Sequence, residues 1–157
     1  MRDILFRGKT KDGRWVYGSL VECKLSWHKL HPHKMWILPD ARSNGGWFSV
    51  CNRYPVINET VGQFTGLVDK NGTKIFEGDI LREPPKDKWE EKNYVSYEVF
   101  FHDNDCCDRH IGWQMNRTHY HGAIRGGEIF AAFRPEWTKR MVVVGNIYDD
   151  ETEKGDG

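Results

Sequence analysis

What this chain lacks narrows it as much as what it contains. It has no net charge, because 23 Lys and Arg offset 23 Asp and Glu. A nucleic-acid binder carries a basic footprint, so the balance leaves only local patches for gripping phosphate. No apolar run approaches the length that spans a bilayer, and mean hydropathy is −0.72, which excludes a transmembrane helix. Met1-Arg2-Asp3-Ile4-Leu5-Phe6-Arg7 has a basic residue but not the long apolar stretch of a secretory signal. The four cysteines form no Cys-x-x-Cys pair, and without an export signal they read as reduced thiols of a cytoplasmic protein. Nucleophile elbow, phosphate-binding loop and Gly-x-Gly-x-x-Gly are all missing. The glycine-rich stretch 122–127 has no following helix and cannot cradle a phosphate. There is no internal repeat and no low-complexity segment.

What is present points to strands. A length of 157 residues suits one domain or two small lobes sharing a core. Hydrophobic residues make up only 38%, but seven Trp, eight Phe and six Tyr enlarge what they can bury. Ile4 to Arg7 is a short strand candidate. Asp12-Gly13 marks a hairpin before Arg14 to Val21, a run with apolar residues on both faces and so an interior strand. Residues 23–34 read as a polar, His-rich loop. Lys34 to Leu38 and Trp47 to Val50 are strands, separated by the turn Ser43-Asn44-Gly45-Gly46. Tyr54 to Ile57 suits a sheet edge, since Pro55 cannot donate to a ladder.

The segment Gly66 to Leu81 is a β-meander. Asn71-Gly72 supplies positive φ for a type I′ turn or a glycine bulge, and Gly78-Asp79 turns the chain again. Pro84-Pro85 opens a charged excursion of at most one helical turn. Tyr94 to Phe101 alternates, with Val95, Tyr97, Val99 and Phe101 on one face and Tyr94, Ser96, Glu98 and Phe100 on the other. Gly112 to Met115 is a short strand, Glu128 to Phe133 is another ended by Arg134-Pro135, and Met141 to Tyr148 is a buried closing strand. The acidic tail from Asp149 lacks the apolar residues needed to order it. Many short strands with close turn signals predict an all-β sandwich or small barrel.

Three pieces, in this order and at this separation, carry a resemblance. Phe6-Arg7-Gly8-Lys9 followed by Gly13 to Gly18 opens the chain. Glu59 to Leu67 then runs into Asp69-Lys70-Asn71-Gly72 and Ile75 to Ile80, and Val144-Gly145-Asn146-Ile147-Tyr148 closes it. Together they resemble the YopX family of phage and prophage proteins, from Met1 to about Tyr148, with residues 23–53 and 83–140 matching poorly. The resemblance implies a β-rich protein whose C-terminal part is an SH3-like barrel, with no catalytic residues or cofactor to carry over. The expected architecture is mainly β with few short helices: an N-terminal β-lobe over 1–59, an SH3-like small β-barrel over 60–148 and the tail 149–157.

Several constellations invite chemistry. His28, His31 and His33 near Cys23 could ligate a metal, as could Cys106, Cys107 and His110 with His102, Asp103, Asp105 and Asp108, or His119 with His121. The spacings match no metal motif, and the plain reading is of loop histidines with thiols packed as small hydrophobes. Asp103-x-Asp105 fails as a calcium loop, lacking the later glycine and glutamate. Glu77 and Asp79 could form an acid–base pair, but Asp79 after Gly78 fits an Asx-turn better. Lys24, Lys29, Lys34 and Arg42 lie near Trp27, Trp36 and Trp47. Arg117, Arg125, Arg134, Lys139 and Arg140 lie near Tyr120 and Trp137. Such mixtures can stack bases, although tryptophans more often fill a core.

These readings converge on a non-enzymatic binding or assembly module, cytoplasmic, without cofactor, metal or membrane. Its expected partner is a second copy of itself, with a phage or host protein next. A nucleic-acid-binding barrel is the alternative, followed by a metal-dependent enzyme. Self-association is argued from near-zero charge and from edges that strands such as Met35 to Leu38 and Trp47 to Val50 could leave unpaired.

Overall fold

The computed structural model describes residues 3–22, 35–39, 53–103, 111–120 and 131–149, which fall into two compact units, Met1–Phe64 and Thr65–Gly157. In the first unit, β1 (Phe6–Lys9), β2 (Trp15–Glu22), β3 (Met35–Leu38) and β4 (Tyr54–Pro55) form an antiparallel sheet in the order β4-β3-β2-β1. Gly62 and Gln63, at the start of β5 (Gly62–Val68), pair beside β1. Strand β2 is interior in the sheet order, as expected, although Tyr17 and Val21 on it stay exposed. Its first half pairs with β1, Phe6 opposite Gly18, and its second half with β3, Ser19 opposite Leu38. Strand β4 stops after two residues and among the described residues has one neighbour, consistent with the edge role that Pro55 suits.

Met35 to Leu38 is a correction. Far from leaving an edge open, β3 lies between β2 and β4, and Ile37 within it is fully buried. Among the described residues of this unit, Ile37, Val56 and Phe64 are the buried apolar side chains. A 3-10 turn over Asn58–Thr60 ties the unit together. The Thr60 hydroxyl accepts the Lys9 amide at 2.8 Å, and the Ile57 amide donates to the Lys9 carbonyl at 2.9 Å. The expected strand Trp47 to Val50 lies outside the described residues.

The second unit begins within β5, whose later residues form a hairpin with β6 (Lys74–Phe76). Then come β7 (Asp79–Arg82), α1 (Lys88–Lys92), β8 (Val95–His102), β9 (Gly112–Tyr120), β10 (Ala131–Ala132), α2 (Pro135–Thr138) and β11 (Val142–Asn146). Five of these strands make an antiparallel sheet in the order β10-β9-β8-β7-β11. The sheet is open, so the expected closed barrel is not what the described residues form. Ile75, Leu81, Val99, Met115 and Met141 are its buried core, with Leu67, Tyr97, Trp113, Phe133, Trp137 and Val143 packed against them. Each such aliphatic side chain removed from water contributes about 1.5–3 kcal/mol.

Three local readings change. Tyr97 and Val99 do face the core, but Phe101 on the same strand is 43% exposed at the end of the sheet, in edge contact with Trp113 at 5.1 Å. The ladder between β8 and β9 also slips between Ser96 and Tyr97. Strand β9 continues well past Met115, because β8 pairs with Asn116, Arg117, His119 and Tyr120, Thr118 being the residue passed over where the ladder slips. Pro135 does not merely end a run. It occupies the first turn of α2, where its missing N–H has no helical acceptor to lose. The charged excursion is a single five-residue helix, with the Asp87 carboxylate accepting the amides of Trp89 and Glu90. The tail from residue 150 lies outside the described residues.

Candidate functional site

Most of the expected metal ligands fall outside the described residues: Cys23, His28, His31, His33, Asp105, Cys106, Cys107, Asp108, His110 and His121. His102 ends β8, its ring 6.4 Å from Phe100 in edge contact, and Asp103 is exposed. The backbone of His119 lies opposite Ser96. Among the described residues, no three His, Cys, Asp or Glu side chains converge as metal ligands. Of the first basic-aromatic set, Trp36 is described, and its ring is covered by Arg53 at 5.0 Å. Of the second, Trp137 packs on the core rather than standing free to stack a base, and Arg140 faces Glu83 at 3.6 Å.

The second and third family-like pieces meet, around Gly78, Asp79 and Asn146, as a structural clasp. Asp79 is fully buried, and its carboxylate accepts the Phe76 amide at 2.7 Å with the Asn146 amide group 3.5 Å away. Gly78 donates its N–H to Val99 at 2.7 Å and accepts the Ile147 N–H at 2.9 Å. The Asn146 side chain in turn accepts the Tyr148 amide at 3.0 Å. Asp79 thus holds backbone, as its turn position suggested, but it reaches three residues back rather than two ahead. The Asx geometry belongs to Asp69 instead, whose carboxylate accepts the amide of Asn71 two residues on. This hub gives Asp79 a structural task.

The outer face of the second sheet has a different character. Leu81, Val99 and Met115 are buried in the core, so their neighbours along each strand point the opposite way. The register sets Ile80, Glu98 and Asn116 in one row across three strands, and Arg82 beside Ser96 in the next. Gln114 sits opposite Phe100 in the row beyond. Apart from the buried Ser96, these side chains are half-buried.

Arg82 turns along the sheet away from Glu98. Its guanidinium carbon lies 3.5 Å from the centre of the Tyr94 ring, and its Nε donates to the Ser96 hydroxyl at 3.1 Å. Glu98 has no hydrogen-bond or ion-pair partner among the described residues, and desolvation pushes its carboxyl above the usual glutamate value. One cation and one anion therefore share a face without meeting. The alternation along β8 places Tyr94, Ser96, Glu98 and Phe100 together in sequence. Arg82, Gln114 and Asn116 join them only through cross-strand register, which short-range patterning does not carry.

The surface has the mixture of Arg, Tyr and amide side chains that suits contact with another macromolecule. No curated relative matches the chain. The YopX protein family matches residues 5–152, which takes in both units and every element of the clasp. On that match, the chain is a member of the YopX family.

Proposed function

We propose that this YopX-family chain is a non-enzymatic binding module, encoded by a phage or prophage and acting in the cytoplasm, that assembles with copies of itself. The observation carrying the proposal is the outer face of the second sheet, where Arg82 and Glu98 stand half-buried without each other. Net neutrality supports it, since copies of an uncharged chain approach without long-range repulsion. Strand addition is the weaker route to assembly. Strand β3 is interior, β4 carries Pro55, and β10 has only two residues. Side-chain packing between faces is the route this reading favours.

Light scattering after size exclusion at micromolar protein tests it, with an expected mass of at least two chains. A monomeric mass at every concentration sinks the reading. DNA and RNA titrated in parallel should bind weakly, and tight binding that collapses with added salt would move the proposal to the nucleic-acid alternative.

A further inference from the structure

We infer that the outer face of the second sheet is a two-fold interface in which Arg82 of each copy pairs with Glu98 of the other. This rests on the self-association proposed above and names its surface and its contacts.

Arg82 lies opposite Ser96, and Glu98 lies opposite Ile80, so the two charged residues are diagonal neighbours on adjacent strands. Diagonal positions are about 7–8 Å apart, within reach of two long side chains. They do not pair, because Arg82 is held toward Tyr94 by the ring beneath it and by Ser96. The bond to Ser96 uses Nε and leaves the two terminal nitrogens, with four N–H donors, for a partner. Glu98 is the complementary acceptor, flanked across the sheet by Ile80 and Asn116.

The partner follows from symmetry. A two-fold contact places each patch against itself, so a residue that meets a second is met by that second in return. A patch with one cation and one anion set apart is complementary to its own copy after rotation. Both charges are then matched, and two ion pairs form per dimer. An unrelated partner would have to carry the same pattern reversed, whereas a second copy carries it automatically. The remaining composition agrees. Tyr and Arg are enriched among residues that anchor interfaces, and here Tyr94 already holds Arg82 in position, which lowers the entropy lost on pairing. Gln114 and Asn116 add amide donors and acceptors around the pairs.

Charge reversal tests this with its own internal control. Glu98→Arg alone sets Arg against Arg twice in a dimer, and Arg82→Glu alone sets Glu against Glu twice. Each variant should be monomeric where the native chain is dimeric. Mixed in equal amounts, the two variants should form a heterodimer, since both pairs are then restored. The double variant should dimerise by itself. Glu98→Gln covers the case in which a reversal disturbs folding. It keeps the shape, removes the charge, and should raise the dimer dissociation constant by about tenfold or more.

If the native chain is dimeric and Glu98→Gln and both reversals leave the dimer unchanged, the interface lies elsewhere and only this inference falls. Failure of the mixture to associate, with both variants folded by circular dichroism, overturns it too. A native chain that is monomeric throughout takes down the proposed function together with it.

Discussion

The two units each contain the same five-residue hairpin turn, and they use it differently. Thr10-Lys11-Asp12-Gly13-Arg14 lies in the first, and Asp69-Lys70-Asn71-Gly72-Thr73 in the second. In both, the glycine N–H donates to the carbonyl of the first residue, at 2.9 Å for Gly13 and 3.1 Å for Gly72. The first residue donates its N–H to the carbonyl of the fifth, at 2.9 Å for Thr10 and 2.8 Å for Asp69. Gly13 has φ +85° and Gly72 has φ +84°. This is the tight turn closed by a left-handed glycine bulge, one of the two possibilities that Asn71-Gly72 allowed.

The first side chain makes the difference. The Thr10 hydroxyl donates to the Asp12 carboxylate and lies 2.9 Å from the Arg14 carbonyl, so its bonds stay inside its own turn. The Asp69 carboxylate accepts the amides of Asn71 and Thr73, each at 2.8 Å, and then the amide of Val143 on β11 at 3.0 Å. Lys70 adds a backbone bond to the Met141 carbonyl at 2.9 Å. A carboxylate offers enough acceptor positions for a turn and a distant strand together, and a hydroxyl does not. One turn is therefore local, and its twin joins the meander to the closing strand and covers part of that strand's edge.

The largest expected effect comes from removing the two side chains. Hydrogen bonds to a charged group contribute about 1.5–3 kcal/mol each, and those to neutral groups about 1. Asp69→Ala, which removes three bonds to a carboxylate, should therefore cost more than about 3 kcal/mol in urea denaturation, and Thr10→Ala, whose carboxylate partner is exposed and screened by solvent, only about 1. Equal costs would end the distinction between a local and a long-range turn.

Acidity sharpens it. Burial alone would raise the Asp69 carboxyl, but the amides of Val143, Thr73 and Asn71 outweigh it and hold the group below its ordinary 3.8. Because the folded value is depressed, the stabilisation is present above the unfolded value and is lost as pH falls through the folded one. The gap between native chain and Asp69→Asn should thus close below pH 3.8. In the other turn, the acidic group is the exposed Asp12, lowered first by the Thr10 hydroxyl and then by Arg14. Solvent screens it, so the cost of Thr10→Ala should change little over the same range.

Substituting the glycines addresses what the turns share. A β carbon at Gly13 or at Gly72 would meet nothing within 4 Å. The cost of a side chain there is conformational, not steric crowding by neighbours. Gly13→Val and Gly72→Val should each destabilise by about 1–2 kcal/mol, and by similar amounts. An unchanged denaturation midpoint for Gly72→Val would refute the need for positive φ. A large inequality between the two would show that the turns differ in backbone as well as in side chain.

These turns also mark how far the sequence could be read. Asp-Gly and Asn-Gly between apolar runs are local signals, and both hairpins stand where they predicted. The interior place of β2 and the edge place of β4 followed as well, from apolar residues on two faces and from Pro55. What depended on distant pairing was not legible. Nothing near Asp69 announces that Val143, 74 residues later, is its third donor. Polarity hid the length of β9, because the pairing that makes Asn116 and Arg117 a strand comes from β8. The candidate interface divides the same way. Tyr94, Ser96, Glu98 and Phe100 share a face by alternation alone, while Arg82 reaches it only through the partner strand. Of the motifs that carried the family resemblance, Gly13 and Asp69 to Gly72 form the two hairpin turns and Gly78, Asp79 and Asn146 the clasp, all structural tasks, which explains why they could suggest an architecture and no reaction.

The smallest expected effect isolates one backbone bond. Lys11 and Lys70 occupy the same position, the second residue of the turn, where proline's fixed φ is well tolerated. The Lys11 amide makes no backbone hydrogen bond among the described residues, whereas the Lys70 amide donates to Met141. Lys11→Pro should stabilise the chain by about 0.4–1 kcal/mol, because it restricts the unfolded state and removes nothing from the folded one. Lys70→Pro receives the same entropic gain but loses a bond of about 1 kcal/mol and leaves the Met141 carbonyl one donor short. Its net effect should be close to zero or slightly destabilising. Thermal and urea denaturation of the two variants side by side measure the difference, with Asp69 intact in both. If Lys70→Pro stabilises as much as Lys11→Pro, the backbone link to β11 contributes nothing, and the carboxylate of Asp69 alone carries the connection between meander and closing strand.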